Sequence, residues 1–133
     1  MMDMALAIKN ARLQAIADGV DAAGQGATFT LYTGPRPASA NEAATGTELV
    51  ALPVPLPFAD TIENGVLTGN PMVEAMATGD GQAGWGRLRD AAGVAVMDLD
   101  AGEEGSSKPA TLPATQIYAG MLIEGVSVVL AEP

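Results

Sequence analysis

Four carboxylates have the types and spacing that could do chemistry in this chain: Asp98, Asp100, Glu103 and Glu104. Alternate side chains of a strand project to the same face, so Asp98 and Asp100 would offer oxygen ligands to a hard cation such as Ca²⁺. The spacing of an EF-hand loop is absent, and the Gly-Ser-Ser that follows is typical of a solvated loop. A calcium site and a plain acidic surface are therefore the two alternatives for this cluster.

Few other residues in the sequence could catalyse a reaction. Two carboxylates can hydrolyse a glycoside, but that reaction needs a cleft with aromatic platforms, and Trp85 is the one tryptophan. The chain has no His and no Cys, which excludes Cys nucleophiles, thiolate metal sites, disulfides and His-based triads. Residues 106–108 (Ser-Ser-Lys) are neighbours in a predicted loop, and residues 79–86 lack the Lys-Ser/Thr ending of a phosphate loop. The sequence thus predicts a protein that is not an enzyme and uses no cofactor.

Three arginines stand out by position. Arg87 and Arg89 share one face of a predicted strand with Trp85. They are either surface arginines that cover the sheet and meet carboxylates of the same chain, or a charged contact to an acidic patch on a partner. Arg36 lies between two prolines on a stiff loop, a position suited to an intersubunit salt bridge.

Length and charge narrow the class of protein. The 133 residues match one domain, and the net charge of −10 repels phosphate backbones, so we expect no direct contact with nucleic acid. No stretch approaches the ~20 apolar residues that span a bilayer, and the first four residues lack the basic region of a signal peptide. The absence of Cys fits a protein made in a reducing cytosol.

The composition favours a mainly β fold after one helix. Sixteen Gly and nine Pro suit short strands joined by tight turns. We expect a helix over residues 3–21, with Asp3 as N-cap, in a segment 1–24 that precedes a β domain over 25–133. A stripe at helical spacing should face the core: Leu6, Leu13, Ile16, Ala17 and Val20.

The opposite side of this helix is also apolar. It carries Ile8, Ala11 and Ala15. Either these side chains sit in solvent, or they make a second contact with a neighbouring subunit.

Turn signals divide the rest into about six to eight short strands of an antiparallel sandwich or barrel. Residues 27–33 alternate as a half-buried strand does. Asn64-Gly65 predicts one hairpin, and Asp90-Ala91-Ala92-Gly93 predicts another between residues 85–89 and 94–99. The remaining segments are expected to be a short strand at 48–52, loops at 38–47 and 78–84, a polar connection at 101–115, and β segments within 116–130.

A proline run interrupts this pattern. Pro53, Pro55 and Pro57 alternate with Val54, Leu56 and Phe58. Proline cannot donate to a β ladder, which predicts an extended edge segment with its apolar side chains on one side. It lies either along this chain's own sheet or along a neighbouring subunit.

Several short motifs together resemble a family of small tailed-bacteriophage virion structural proteins. They are residues 6–16 (LAIKNARLQAI), 31–38 (LYTGPRPA), 64–68 (NGVLT), 85–90 (WGRLRD) with Gly93, Ala95 and Val96, and finally Ile117, Gly120 and 126–128. The chain departs from the family pattern in the proline run and in the acidic, Pro-rich stretch 103–113. The resemblance implies a virion protein assembled in the host cytoplasm, and it transfers no catalytic residue.

Within that family, the hypothesis we favour is that the chain is a head decoration, or cement, protein. The resemblance then implies the major capsid protein as partner, self-association with a trimer as one form, and no membrane. A tail, baseplate or head–tail connector component is the structural alternative, and a cation- or carbohydrate-binding β module is the alternative from another class. We expect subunit contacts from nine side chains: Met4, Ile8, Arg12, Arg36, Val54, Leu56, Phe58, Arg87 and Arg89.

Overall fold

The protein is mainly β with one N-terminal helix, as predicted. The computed structural model describes residues 4–132. Within this range one helix, α1 (Leu6–Asp21), precedes eleven strands. The strands are β1 (Thr28–Thr33), β2 (Glu48–Pro53), β3 (Ala59–Glu63), β4 (Val66–Gly69), β5 (Ala75–Met76), β6 (Gly81–Arg89), β7 (Ala95–Glu103), β8 (Ala110–Leu112), β9 (Gln116–Ile117), β10 (Leu122–Ile123) and β11 (Ser127–Ala131).

Most strands belong to one strongly curled sheet, a half-barrel of about eight strands. Its order is β2-β1-β6-β7-β8-β11-β4-β3, and β9 adds to β6 beside this path. The short strands β5 and β10 form a second, two-stranded sheet. All described pairings are antiparallel except that of β7 with β8.

The polar connection predicted over 101–115 is wrong in its extent, because strands β7 and β8 occupy part of this range and pair in parallel. β7 runs on to Glu103, and residues 104–109 turn the chain back so that Ala110 lies beside Ala101. Ala101, Ala110 and Leu112 are all buried, and burial of these side chains places both flanks in the sheet. Only residues 104–109 and 113–115 of the predicted connection lie outside strands.

Both predicted hairpins form. Asn64 and Gly65 have φ of 54° and 75°, the left-handed pair that a tight hairpin turn requires. In the β6–β7 turn, the Asp90 carboxylate accepts hydrogen bonds from the N–H groups of Ala92 and Val94, each at 3.0 Å. The loop predicted over 78–84 is shorter, because β6 begins at Gly81 and continues the ladder with β1 and β9.

The helix covers the sheet through its predicted stripe, except at its start. Leu13, Ala17 and Val20 are buried, whereas Leu6 is 49% exposed. Leu6 lies beside the β3–β4 turn, near Gly65, where the core does not reach it. The helix begins after Ala5, and the predicted N-cap Asp3 falls outside the described residues.

Two hydrogen bonds hold α1 in place. The Asn10 side chain accepts from the Gly65 N–H at 2.9 Å, and the Asp21 carboxylate accepts from the Phe58 N–H at 3.1 Å. Asn10 lies in the first half of the helix and Asp21 is its last residue, so the two contacts are well separated along α1. They therefore fix its direction as well as its position over the sheet.

Strand β1 is buried on both faces, which corrects the half-buried strand predicted from its alternation. Phe29 and Leu31 face the main core, and Thr30 and Tyr32 on the other side are also buried. The sequence pattern marks which face is apolar, but it does not show that side chains of β6 and β7 cover the polar face as well.

Candidate functional site

The polar face of β1, β6 and β7 carries an aromatic–arginine layer, made of Tyr32, Trp85, Arg87, Arg89 and Asp98. The rings of Tyr32 and Trp85 stack with centroids 4.6 Å apart. The guanidinium carbon of Arg87 lies 5.4 Å from the Trp85 ring, and that of Arg89 lies 5.9 Å from the Tyr32 ring. These distances are those of cation–π contacts, which favour arginine over an electron-rich ring face.

Arg87 and Asp98 form a buried ion pair at the centre of this layer. They are opposite each other in the β6–β7 register. Arg87 Nε donates to Asp98 Oδ1 at 2.7 Å, and Nη2 donates to Oδ2 at 3.0 Å. Each side chain is 5% exposed. The hydrogen bonds to Asp98 raise the pKa of Arg87 above its usual value, against the opposing effect of burial.

Arg89 and Arg36 are also engaged by their own chain. Arg89 donates to Thr30 Oγ1 at 3.2 Å and to the Tyr32 hydroxyl at 2.9 Å. Arg36 pairs with Asp100 at 3.0 Å and so ties the loop after β1 to β7. Arg87 and Arg36 thus meet carboxylates of the same chain, as one of the two alternatives predicts for Arg87, but Arg87 is buried and is not a surface arginine. The role of the three arginines as subunit contacts stays a prediction.

The Trp85 ring lies in a part of the layer that solvent does not reach. Its side chain is fully buried, and its Nε1 has no hydrogen-bond partner within residues 4–132. A ring that solvent does not reach offers no platform for a sugar. The stacked rings and the buried ion pair of the layer therefore hold β1, β6 and β7 together.

The four carboxylates of the acidic cluster are separated by their partners. Asp98 is paired with Arg87, Asp100 with Arg36, and Glu103 and Glu104 are exposed. Within residues 4–132, no three acidic side chains come together in a way that could hold a metal ion. For Asp100, Glu103 and Glu104 this arrangement favours the acidic-surface alternative over a calcium site, whereas Asp98 is buried and belongs to no surface.

Calcium is accordingly expected to have no effect on thermal stability. A ligand that binds the folded state with a Kd well below its concentration raises the melting temperature. Melting curves followed by circular dichroism, with millimolar CaCl₂ and with EDTA, should coincide. A rise in Tm with CaCl₂ that disappears in the Asp100→Asn variant would establish the cation site.

The predicted contact residues of the helix reach the surface. Ile8 is 53% exposed, Arg12 is exposed, and Met4 is half-buried. Arg12 lies 3.4 Å from Glu132 near the chain's end, and its Nη1 is 3.3 Å from the sulfur of Met4. Their role as subunit contacts stays a prediction.

The proline segment divides between core and surface. Val54 and Phe58 are buried in the core cluster, which matches the alternative that places the segment along its own chain. Leu56 is 48% exposed. Of this segment's three apolar side chains, Leu56 is thus the one that a partner can reach.

The two-stranded sheet carries an exposed apolar surface that the predicted site residues do not include. Met76 and Leu122 are opposite each other in the β5–β10 register, and they are 65% and 49% exposed. Tyr118 and Met121, 59% and 39% exposed, precede β10 on the same connection. We call these four residues the small-sheet surface. The register places Met76 and Leu122 side by side, and exposed apolar side chains that adjoin in this way are candidates for contact with another protein.

The sequence holds a weak signal for this surface. Met121, Leu122 and Ile123 are three consecutive apolar residues in a short β segment, so both faces of the strand are apolar. Ile123 turns into the core, which leaves Leu122 outside. The pairing of Leu122 with Met76 joins segments far apart in the sequence, and no local pattern reveals it.

The helix of the described residues lacks the length and apolar character of a membrane span. Comparison with protein-family models, with curated proteins and with solved structures gave no match to this chain.

Proposed function

We propose that the chain is a structural protein of a tailed-bacteriophage virion. In its most specific form, it is a head decoration protein that binds the capsid shell and bridges neighbouring capsid subunits. Two lines support this proposal. The motifs at residues 6–16, 31–38 and 85–90 resemble a family of such virion proteins, and the domain presents apolar side chains to solvent. The major capsid protein is the proposed partner, with self-association as a trimer as one arrangement.

The small-sheet surface is the observation that carries a contact role. Burial of apolar area yields about 25 cal/mol per Å² removed from water, so exposed Met76 and Leu122 favour association with another protein. The charged side chains that could take part in catalysis form ion pairs within the domain instead. Arg87 and Asp98 are buried against each other, and Arg36 is paired with Asp100.

A bridging protein needs at least two contact surfaces. Besides the small-sheet surface, the chain exposes Leu6 and Ile8 on α1, which lies against β3, β4 and β7 rather than against the small sheet. Two modest contacts on one rigid domain reinforce each other through effective concentration, and many copies repeat the effect over a shell. Bridging is therefore possible without any single strong interface.

A sedimentation experiment tests the proposal and its structural alternative. The purified chain is mixed with heads of the encoding phage that lack it, and separately with tails, and each mixture is spun through a density gradient. Retention on heads supports the decoration role. Retention on tails alone supports a tail, baseplate or connector component, and retention on neither overturns the virion role.

Charged substitutions in the small-sheet surface should weaken head binding without unfolding the chain. We expect Leu122→Asp and Met76→Asp each to lower the affinity by roughly tenfold or more, as loss of a central apolar contact does. Val94→Asp is the matched control, since Val94 is 61% exposed in the turn between β6 and β7, which belong to the large sheet and pair with neither β5 nor β10. Quantitative sedimentation across a dilution series measures the effect, and equal retention of all three variants would remove this surface from the contact.

A further inference from the structure

A groove adjoins the small-sheet surface. It is lined on one side by residues 112–114 and on the other by residues 121–124, and its volume is about 220 Å³. Leu112 and Ile123 are buried, whereas Pro113, Leu122 and Glu124 reach solvent. The groove therefore combines apolar walls with one carboxylate.

Its size suits a single side chain. A cavity of roughly 150 Å³ accepts a benzene ring, whereas sites for free small molecules usually measure roughly 300–1,000 Å³. At about 220 Å³ the groove holds one phenylalanine, leucine or methionine side chain. Such a pocket is typical of an anchor residue supplied by a protein partner.

The backbone of β10 is available to hold the chain that carries this anchor. The Ala77 N–H donates to the Met121 carbonyl at 2.8 Å, and this bond flanks the register pair Leu122–Met76. In an antiparallel ladder a bond in that place makes the flanked pair a non-hydrogen-bonded one, so the N–H and C=O of Leu122 point away from β5. Within residues 4–132, β10 pairs only with β5, which leaves this edge open to an extended segment.

The charged side chains near the groove favour a partner segment of positive charge. Glu124 lines the groove, and Glu74 precedes Ala75, the residue opposite Ile123 in the register. Both carboxylates are exposed, and Asp80, also exposed, accepts a hydrogen bond from the Ala119 N–H beside the small-sheet surface. A second copy of this acidic chain would bring like charges together here, whereas lysine or arginine would be attracted.

We propose that this groove binds an extended, basic segment of a partner protein, which inserts one large apolar side chain between β10 and residues 112–114. Lysine or arginine residues flanking the anchor lie against Glu124 and Glu74. The identification of the partner as a capsid subunit rests on the proposed function. The chemistry of the groove does not.

Two synthetic nine-residue peptides test this chemistry on the full chain. Both carry a central phenylalanine, flanked by lysines in one peptide and by glutamates in the other. In NMR titrations of the ¹⁵N-labelled chain, the lysine peptide should shift the amide signals of Leu112 and residues 121–124. We expect it to bind roughly fivefold more tightly than the glutamate peptide, with a ratio that falls as salt is added. Equal binding of the two peptides, shifts elsewhere, or no shift at millimolar peptide overturns the proposal.

Charge reversal sharpens the test. Glu124→Lys should weaken the lysine peptide and strengthen the glutamate peptide, whereas Glu42→Lys, an exposed carboxylate in the loop after β1, should change neither. Self-association that Leu122→Asp abolishes, seen by analytical ultracentrifugation, would instead assign the groove to a second copy and overturn the proposal.

Different results would contradict the proposed virion role and the proposed binding chemistry of the groove. If heads retain Glu124→Lys and Leu122→Asp as well as the unchanged chain, the groove is not the contact and the virion role stands. If heads never retain the chain while the lysine peptide binds the groove, the virion role falls and the groove's chemistry stands.

Discussion

Replacement of Arg87 by methionine is expected to lower the free energy of unfolding by about 3–5 kcal/mol. The change leaves the Asp98 carboxylate, 5% exposed, without the two hydrogen bonds of 2.7 and 3.0 Å that now satisfy it. It also removes the cation over the Trp85 ring. Equilibrium unfolding in urea, with a check that the slope is unchanged, measures the loss.

A double variant separates the cost of an unpaired charge from the value of the pair. Arg87→Met combined with Asp98→Leu should regain most of the lost stability, because no charge is then left buried alone. Arg36→Met is the matched control, since the Arg36–Asp100 pair is 48% and 41% exposed and its loss should cost at most about 1 kcal/mol. Equal losses for Arg87→Met and Arg36→Met would contradict the burial of the central pair.

The stabilisation by Arg87 should not vary with pH in the neutral range. Its pKa is raised in the folded state, so its contribution is complete below the ordinary pKa of arginine and is lost only as pH rises through the higher folded value. The effect of Arg87→Met should therefore be the same at about pH 7 and about pH 9. A large difference would show that another group titrates with the pair.

Gly86→Ala is expected to destabilise the fold by about 3 kcal/mol, at the upper end of overpacking effects. A Cβ at this position would lie 2.6 Å from Cε1 of Phe29, closer than carbon atoms can approach. Phe29 is fully buried, so its ring cannot swing aside without disturbing the core. Urea unfolding measures the loss.

Two variants show whether this steric account is right. Gly86→Ala with Phe29→Leu should lose less stability than the sum of the single changes, because the shorter side chain frees the space. Gly19→Ala, in α1, should instead stabilise by about 0.5–1 kcal/mol, since alanine favours the helix and the nearest side-chain atom, on Val96, would be 3.7 Å away. Additive losses at positions 86 and 29 would exclude the clash.

The candidate site is less predictable from sequence than the fold, for a reason that individual residues show. Arg87, Arg89 and Trp85 are correctly placed on one face of one strand, because side chains alternate along β6. The burial of Trp85 and Arg87 depends on Tyr32 from β1 and Asp98 from β7, which the registers bring opposite them. The sequence of a single strand does not predict which of its faces the side chains of neighbouring strands will cover.

Features that depend on residues close together in the chain can be predicted from the sequence. The turn at Asn64-Gly65, the hydrogen-bonding Asp90 of the β6–β7 turn and the helical stripe at Leu13, Ala17 and Val20 follow from local backbone and spacing preferences. The burial of Asp98 with Arg87, and the pairing of Met76 with Leu122 on the surface, are visible only in the folded structure. Those outcomes depend on contacts between distant segments, where the energy of burial, and not local preference, selects which side chains are covered.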